Sequence, residues 1–395
     1  MNSLIRLFFW SVVTASAVAD TTVNPQDARL LTPLGAERAG NTAGTIPAWE
    51  GGISRPPSGY KPGEHHIDPF PDDQPRLTIT ADNLDEHADR LSPGQQALLR
   101  ANPDSWYLQV YPTRRTASYP EWVYDAVRDN ARTARLLTAG KGGVAEANVS
   151  SPFPVPASGV EAVWNHILRW RGIRIQRSFG QAAVTRRGRY TVTMSLQDFA
   201  FPYAALPGDP LRSEFPNLLL AIKGKTIQPG LLSGDGTLVL EPIDQTNSPR
   251  KTWIYNRNLR RILRQPHFAN AFPAPTTDGL RTIDEFDMFN GSPAQYDWQL
   301  KGKQELYIPY NAYRIHAAGL GNEDIIENRH INPAHGRYEL HRVWVVEGTL
   351  KPGMKHIYSR RVFYIDEDSW QIAVMDSYDQ DGELWRTTEA HALNY

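Results

Sequence analysis

Apolar side chains at Val160, Val163, Trp164, Ile167 and Leu168 follow the i, i+3, i+4, i+7, i+8 spacing of one helical face. Ser158 is the expected N-cap, Glu161 three residues on completes a capping box, and Gly172 ends the helix. Upstream, Tyr119, Trp122, Val123, Ala126, Val127, Asn130 and Ala134 repeat at three- and four-residue steps. This predicts a helix opened by Pro120 and closed by Gly140, within a block at 81–139 that reads as helical. From residue 173 the period falls to two. Ile173–Arg177, Tyr190–Met194, Thr237–Leu240, Thr252–Tyr255 and Glu305–Ile308 read as strands, as do Leu340–Val346, Arg361–Ile365, Gln371–Tyr378 and Leu384–Ala392. Lys351-Pro352-Gly353, Asp366-Glu367-Asp368 and Asp379-Gln380-Asp381-Gly382 carry turn chemistry between them. Strands joined by short turns without helices form an antiparallel sheet. Val343-Trp344-Val345-Val346 and Val362-Phe363-Tyr364-Ile365 are apolar at successive positions, so both faces of those strands must be covered. Curvature or helices cover one face, and a helix, an arm or a ligand covers the other.

The N-terminus has a different pattern. One charge precedes an apolar or small run from Leu7 to Ala19, ending Ala17-Val18-Ala19. That is the layout of a cleavable secretory signal, and the run is shorter than the ~20 residues a spanning helix needs. Cleavage after Ala19 and export to a periplasm are expected. Residues 20–80 show little periodicity and many prolines, among them Arg55-Pro56-Pro57 and Asp68-Pro69-Phe70-Pro71. Proline fixes φ and removes a donor, so this segment is expected to run as an extended arm anchored by Trp49, Tyr60 and Phe70. The expected organisation is a signal at 1–19, an arm at 20–80 and one domain at 81–395, with helices at 81–172 and mainly strands at 173–395.

Composition narrows the chemistry. Lys and Arg number 42 against 43 Asp and Glu, a net charge of −1, which argues against a nucleic-acid partner. Cysteine is absent, so disulfides, thiolate metal sites, cysteine nucleophiles and a lipid-anchored N-terminus are excluded. The 11 histidines include His65-His66 near Asp68, Asp72 and Asp73, and His330 and His335 in a loop. No HExxH motif is present, and solvated surface histidines are the default, so neither a metal nor a cofactor is expected. No G-x-S-x-G elbow, phosphate loop or dinucleotide fingerprint occurs. The acidic stretch Ile283-Asp284-Glu285-Phe286-Asp287 has a catalytic reading, but a solvated loop between strands is the expectation. Arg257, Arg260, Arg261 and Arg264 are expected to pair with carboxylates across a strand pair; their functional reading is contact with an anionic head group or an acidic partner.

Further motifs carry a resemblance. Leu31-Thr32-Pro33-Leu34-Gly35-Ala36-Glu37-Arg38-Ala39-Gly40-Asn41 is followed by Gly44-Thr45-Ile46-Pro47-Ala48-Trp49. Tyr111–Ala117, Pro152-Phe153-Pro154, Trp164-Asn165-His166, Pro249–Trp253, Asp287–Gly291 and Tyr338–Glu347 continue the pattern. Together they resemble the bacterial family called domain of unknown function 1329. The resemblance implies an α+β fold like that of outer-membrane lipoprotein-sorting carriers: a curved antiparallel β-sheet, or half-barrel, with helices packed on its concave side. It also implies export and an association with resistance-nodulation-division-type transporters and outer-membrane proteins. It supplies no catalytic residue, and fold alone does not settle function.

These readings favour a non-enzymatic periplasmic carrier or chaperone for a hydrophobic ligand: a lipid, an acyl chain or a lipoprotein anchor. Trp164, Trp253, Tyr255, Trp344, Phe363 and Tyr364 are the candidate lining residues, and Arg257, Arg260 and Arg261 the candidate head-group or partner contacts. Part of the arm is expected to plug the cavity. The alternatives are a non-enzymatic interaction module of an envelope complex, or a hydrolase with a dispersed carboxylate pair.

Overall fold

The computed structural model describes residues 29–138, 142–245, 248–265 and 271–394. The apolar leader at 1–19 and Gly140 lie outside the described residues. Among those described, no helix is long and apolar enough to cross a membrane.

In chain order the elements are β1 (Leu77–Ile79), α1 (Pro93–Ala101), β2 (Leu108–Val110), α2 (Glu121–Thr133), β3 (Arg135–Leu137), β4 (Gly143–Ala145) and α3 (Gly159–Leu168). A run of strands follows, broken once by a five-residue helix, α4 (Pro210–Glu214), between the second and third: β5 (Arg174–Ala182), β6 (Val192–Ala200), β7 (Leu218–Gln228), β8 (Gly236–Pro242), β9 (Lys251–Asn256) and β10 (Arg261–Arg264); a four-residue helix, α5 (Asn322–Ile325), comes later in the chain. The last five are β11 (Tyr296–Pro309), β12 (Tyr338–Leu350), β13 (Arg360–Asp366), β14 (Ile372–Tyr378) and β15 (Leu384–Glu389). The 81–139 block is therefore interrupted: it holds two short 3-10 turns, α1 and α2, with β2 between the helices.

Strands β5 to β10 form a six-stranded antiparallel meander. In the seven-stranded sheet, β12 pairs with β11 on one side and β13 on the other, and β14 and β15 follow. The strands β1 and β2 extend this sheet through a parallel bridge between Val110 and Tyr338. Strands β3 and β4 form a separate hairpin. Neither large sheet closes into a barrel. The fold is mixed α+β and dominated by antiparallel sheet, as the period-two pattern predicts.

Helix α3 joins the two sheets. Its apolar face puts Val163, Trp164, Ile167 and Leu168 into one cluster with Phe199, Leu219 and Leu220 of the six-stranded sheet and Val346, Phe363 and Met375 of the seven-stranded one. Ser158 caps it by accepting from the Glu161 N–H at 3.4 Å, while the Glu161 carboxylate accepts from Ala157 rather than from Ser158. The opposite face of the seven-stranded sheet carries Val343, Val345, Val362, Tyr364 and Val374. The consecutive apolar residues of β12 and β13 thus alternate between two separate cores.

The segment from 29 to 76 contains neither helix nor strand. Leu34, Ala36 and Ile46 are buried. The Trp370 indole donates to the Leu34 carbonyl at 3.0 Å. At Gly35, φ is +87° and an added Cβ would lie 1.8 Å from the Pro154 oxygen, so only glycine fits. Trp49 donates to the Ala117 carbonyl at 3.1 Å, and Arg114 and Arg337 flank Phe70 at 5.1 and 5.4 Å. Tyr60 stacks on His66, inside the same segment.

Candidate functional site

The chain leaving α3 carries Arg169, Trp170 and Arg171, and the preceding turn fixes their position. Asn165 accepts from the Phe153 N–H at 2.8 Å and donates back to its carbonyl at 2.6 Å. His166 accepts from the Ile372 N–H through Nδ1 at 3.1 Å, and its Nε2 lies 2.9 Å from the Asp287 carbonyl. A neutral ring with its hydrogen on Nε2 satisfies both contacts. Burial, reinforced by the Arg169 charge, pushes its pKa down to about 3. Asp287 sits at φ +53° and takes Arg169 at 2.7 Å together with Arg171. Burial alone would raise its pKa, but the two guanidinium groups hold it far below the usual carboxylate range. The Trp-Asn-His motif is thus a structural staple.

Beyond this staple lies a cavity of about 780 Å³. Trp170 lines it, packed edge-on against Tyr119 at 6.2 Å and Trp122 at 5.7 Å. Ile53–Pro56, Thr116–Glu121, Tyr310 and Asn311, Ser369 and Gln371, and the tail Ala392–Asn394 complete the walls. The first wall is held by the Ile53 N–H on the Thr116 carbonyl at 2.8 Å. The tail is held by Asn394, which donates to Thr116, and by Ala312, which donates to Ala392 at 3.0 Å. Arg55, Arg169 and Arg171 are the cationic lining residues. Glu121, also on the wall, is engaged by Arg128 at 2.7 Å.

The six residues expected to line one cavity occupy different surfaces. Trp164 and Phe363 are packed among protein side chains in the α3 core. Tyr364 lies across the sheet in the opposite core. Trp344 stacks on Trp370 at 6.3 Å, with the Lys303 ammonium 4.8 Å from its ring. Trp253 and Tyr255 share the outward face of the six-stranded sheet with Leu238 and Ile262. Arg257, Arg260 and Arg261 are exposed at the β9–β10 turn and on β10. Among the described residues none of these guanidinium groups forms an ion pair with a carboxylate; that of Arg257 instead donates to the Ser233 carbonyl at 2.8 Å.

The acidic stretch at 283–287 is not a solvated loop. Asp284 and Glu285 are buried. Asp284 meets Arg361 at 2.9 Å and His356 at 3.3 Å. Burial opposes its ionisation, yet Arg361 and His356 hold its pKa down at about 2. Tyr358 donates to Glu285 at 3.2 Å. Partners that arrive from 77 residues away in sequence convert a surface-like pattern into a buried ion-pair network.

Among the described residues, one group has the geometry of a metal-ligand set: His341, Asp366 and Asp368, whose ligand atoms lie within 4.8 Å of one another. Both Asp368 oxygens already accept from Arg115, at 2.8 and 2.7 Å, so a cation there would face a guanidinium. His341 stacks on Tyr310 at 4.0 Å and meets Glu339 at 3.2 Å. The arrangement is internally compensated and fits a buried polar network better than a cation site. His330, one of the loop histidines, contacts Ser105 at 2.9 Å.

The chain belongs to the family described as "Protein of unknown function (DUF1329)", whose sequence model matches residues 78–395. It is 43% identical over 365 residues to "Uncharacterized protein PA3922" of Pseudomonas aeruginosa, covering 92% of this chain and 80% of that one. Solved structures with similarity include an outer-membrane lipoprotein-sorting protein domain from Vibrio parahaemolyticus (14% identity, TM-score 0.36, 58% of this chain and 75% of that one). A DUF1329 family protein from Desulfovibrio piger matches at 14% identity and TM-score 0.32, over 53% of this chain and 68% of that one. A LolA superfamily protein from Nitrosomonas europaea matches at 10% identity and TM-score 0.31, over 59% and 77%.

Hydrophobic periodicity does not single out Arg169, Trp170 and Arg171. Two cations around a tryptophan directly after a helix is a visible signal, but cations are also ordinary at helix C-termini.

Proposed function

We propose that this protein is a non-enzymatic binding protein that carries an amphiphile with an acidic head in the cavity beside Trp170. The supporting observation is the composition of that 780 Å³ space. Ile53, Pro56, Tyr119 and Trp170 offer apolar surface, while Arg169 and Arg171 share one carboxylate, Asp287, and Arg55 stands at the wall. Small-molecule sites are concave, mostly apolar and of roughly 300–1,000 Å³, with a few convergent polar groups. Each buried methylene contributes about 0.8 kcal/mol, so ten supply ~8 kcal/mol before the ordering terms of binding. In this reading the ligand belongs beside α3 rather than beneath Trp164 and Phe363, and the 53–56 segment is a wall of its compartment. Traffic between an inner-membrane transporter and the outer membrane would give such a carrier its route.

The test is extraction of the protein, purified from its native host, with organic solvent, followed by mass spectrometry and displacement of a fluorescent fatty acid. A co-purified acidic amphiphile is expected, as is probe binding that weakens at least about tenfold in Trp170→Ala. No extractable amphiphile together with no probe binding would overturn the reading.

A further inference from the structure

The six-stranded sheet is basic in a chain that is not. Between residues 174 and 264 there are fourteen Lys and Arg and six Asp and Glu, whereas the whole protein has a net charge of −1. Part of that excess gathers at one corner. The β7–β8 and β9–β10 turns lie at the same end of the meander and touch: the Arg257 N–H donates to Asp235 at 2.9 Å, and its guanidinium donates to Ser233 at 2.8 Å. Leu231 at the first tip is 80% exposed, Leu259 at the second 61%, and Ile262 on β10 70%. Every residue of β10, Arg261-Ile262-Leu263-Arg264, is exposed.

The distribution of these residues discriminates between possible coverings. Ile262 and Leu263 are successive strand residues and point to opposite faces of the sheet, while Leu231 and Leu259 occupy its end. A partner lying flat on one face would leave the others wet. Addition of a further strand to β10 is opposed by the arginines at both of its ends, the usual protection of an edge. A soft interface that wraps the corner meets all of them at once. The head-group layer of a bilayer takes apolar side chains to a depth of ~5–10 Å and keeps guanidinium groups among phosphates.

We propose that this corner docks the protein onto an anionic lipid surface, with Leu231, Leu259 and Ile262 inserting and Arg257, Arg260, Arg261 and Arg264 meeting lipid phosphates. The proposal uses none of the cavity residues, so it stands or falls apart from the carried ligand.

The experiment is co-sedimentation of the chain beginning at Asp20, which lacks the apolar leader, with vesicles of phosphatidylethanolamine and phosphatidylglycerol, against vesicles of pure phosphatidylcholine. Binding to the anionic vesicles alone is expected, weakening as salt rises above about 0.1 M. Reversing three charges (Arg260→Glu, Arg261→Glu and Arg264→Glu) should lower partitioning by at least about tenfold. Replacing Leu231, Leu259 and Ile262 by serine should lower it comparably. All six positions are exposed, and unchanged circular-dichroism melts would show that the variants are folded. Equal binding to both vesicle types, no binding, or indifference to both sets of substitutions would overturn the proposal. So would a dimer that dissociates on Ile262→Arg in a chain that ignores vesicles, since the corner would then be a contact between copies.

Discussion

Strand β13 buries six of its seven residues, whereas β10 exposes all four of its own. The contrast runs through the two sheets. In the seven-stranded sheet, β12 to β14 are buried on both faces, and Arg337, Arg361, Asp284 and Asp366 are drawn inside as well. In the six-stranded sheet, β5 alternates between exposed and half-buried positions, and burial declines toward the edge. Apolar residues placed consecutively demand two cores, so they build a scaffold; apolar residues interleaved with arginine build a surface. The same residue type should therefore matter very differently in the two sheets.

Phe363→Ala should have the largest effect. The ring is fully buried and touches Phe289 at 5.3 Å and Trp298 at 5.2 Å. Truncating a buried phenylalanine removes about 3–5 kcal/mol of stability. Chemical denaturation measures it. A loss under about 1 kcal/mol would mean that this face is loosely filled, and would revive the idea of a ligand space beneath α3. Next comes Gly35→Ala, which places a methyl group against the Pro154 carbonyl at a positive φ. A loss of about 1–3 kcal/mol is expected, with trypsin cutting faster at Arg38 and Arg55 as the segment loosens. Unchanged proteolysis would show that the segment is held elsewhere.

Much of this contrast could be read from the chain. The helical period located α3, and the period of two located nine of the strands. Strand β7 escapes that period because Leu218-Leu219-Leu220-Ala221-Ile222 does not alternate and Gly224 then interrupts it. Phe363 and Tyr364 are neighbours on a strand, so they face opposite ways and cannot line one cavity. The cavity itself is not legible, since its walls come from six separated stretches of chain. Nor are the partners of Asp284 and Asp287, because ion pairs between distant elements leave no local trace in sequence.

The buried charges give the scaffold a pH signature. Burial and the neighbouring Asp368 raise the Asp366 pKa from 3.8 to about 6. His341 is lowered by burial, but Glu339 and Asp366 outweigh this and raise it above 6.5. In both cases the folded state holds its proton more tightly than the unfolded chain. Their contribution is therefore full at low pH and is lost as pH rises, through about 6 for Asp366 and beyond 6.5 for His341. Asp284 behaves oppositely: its pKa is lowered to about 2, so its contribution is lost only as pH falls from 3.8 through that value. In Asp366→Asn, the amide replaces a carboxylate that resists ionisation and still accepts from Ser369. The drop in melting temperature between pH 5 and pH 8 should shrink in this variant. An unchanged drop would mean that Asp366 ionises as freely as it does in the unfolded chain.

The smallest effect should come from Ile262→Ser. An isoleucine that is 70% exposed loses little on truncation, and surface substitutions away from special features stay within about ±0.5 kcal/mol. The value of this near-zero result lies in its pairing with Phe363→Ala. Two large apolar residues on strands of one protein would differ about tenfold in their contribution to folding, which leaves the exposed one without a structural reason to be apolar. A loss above about 1 kcal/mol would show instead that β10 is covered in solution by something bound only to the folded protein, and a dependence of that loss on protein concentration would identify the cover as a second copy of the chain.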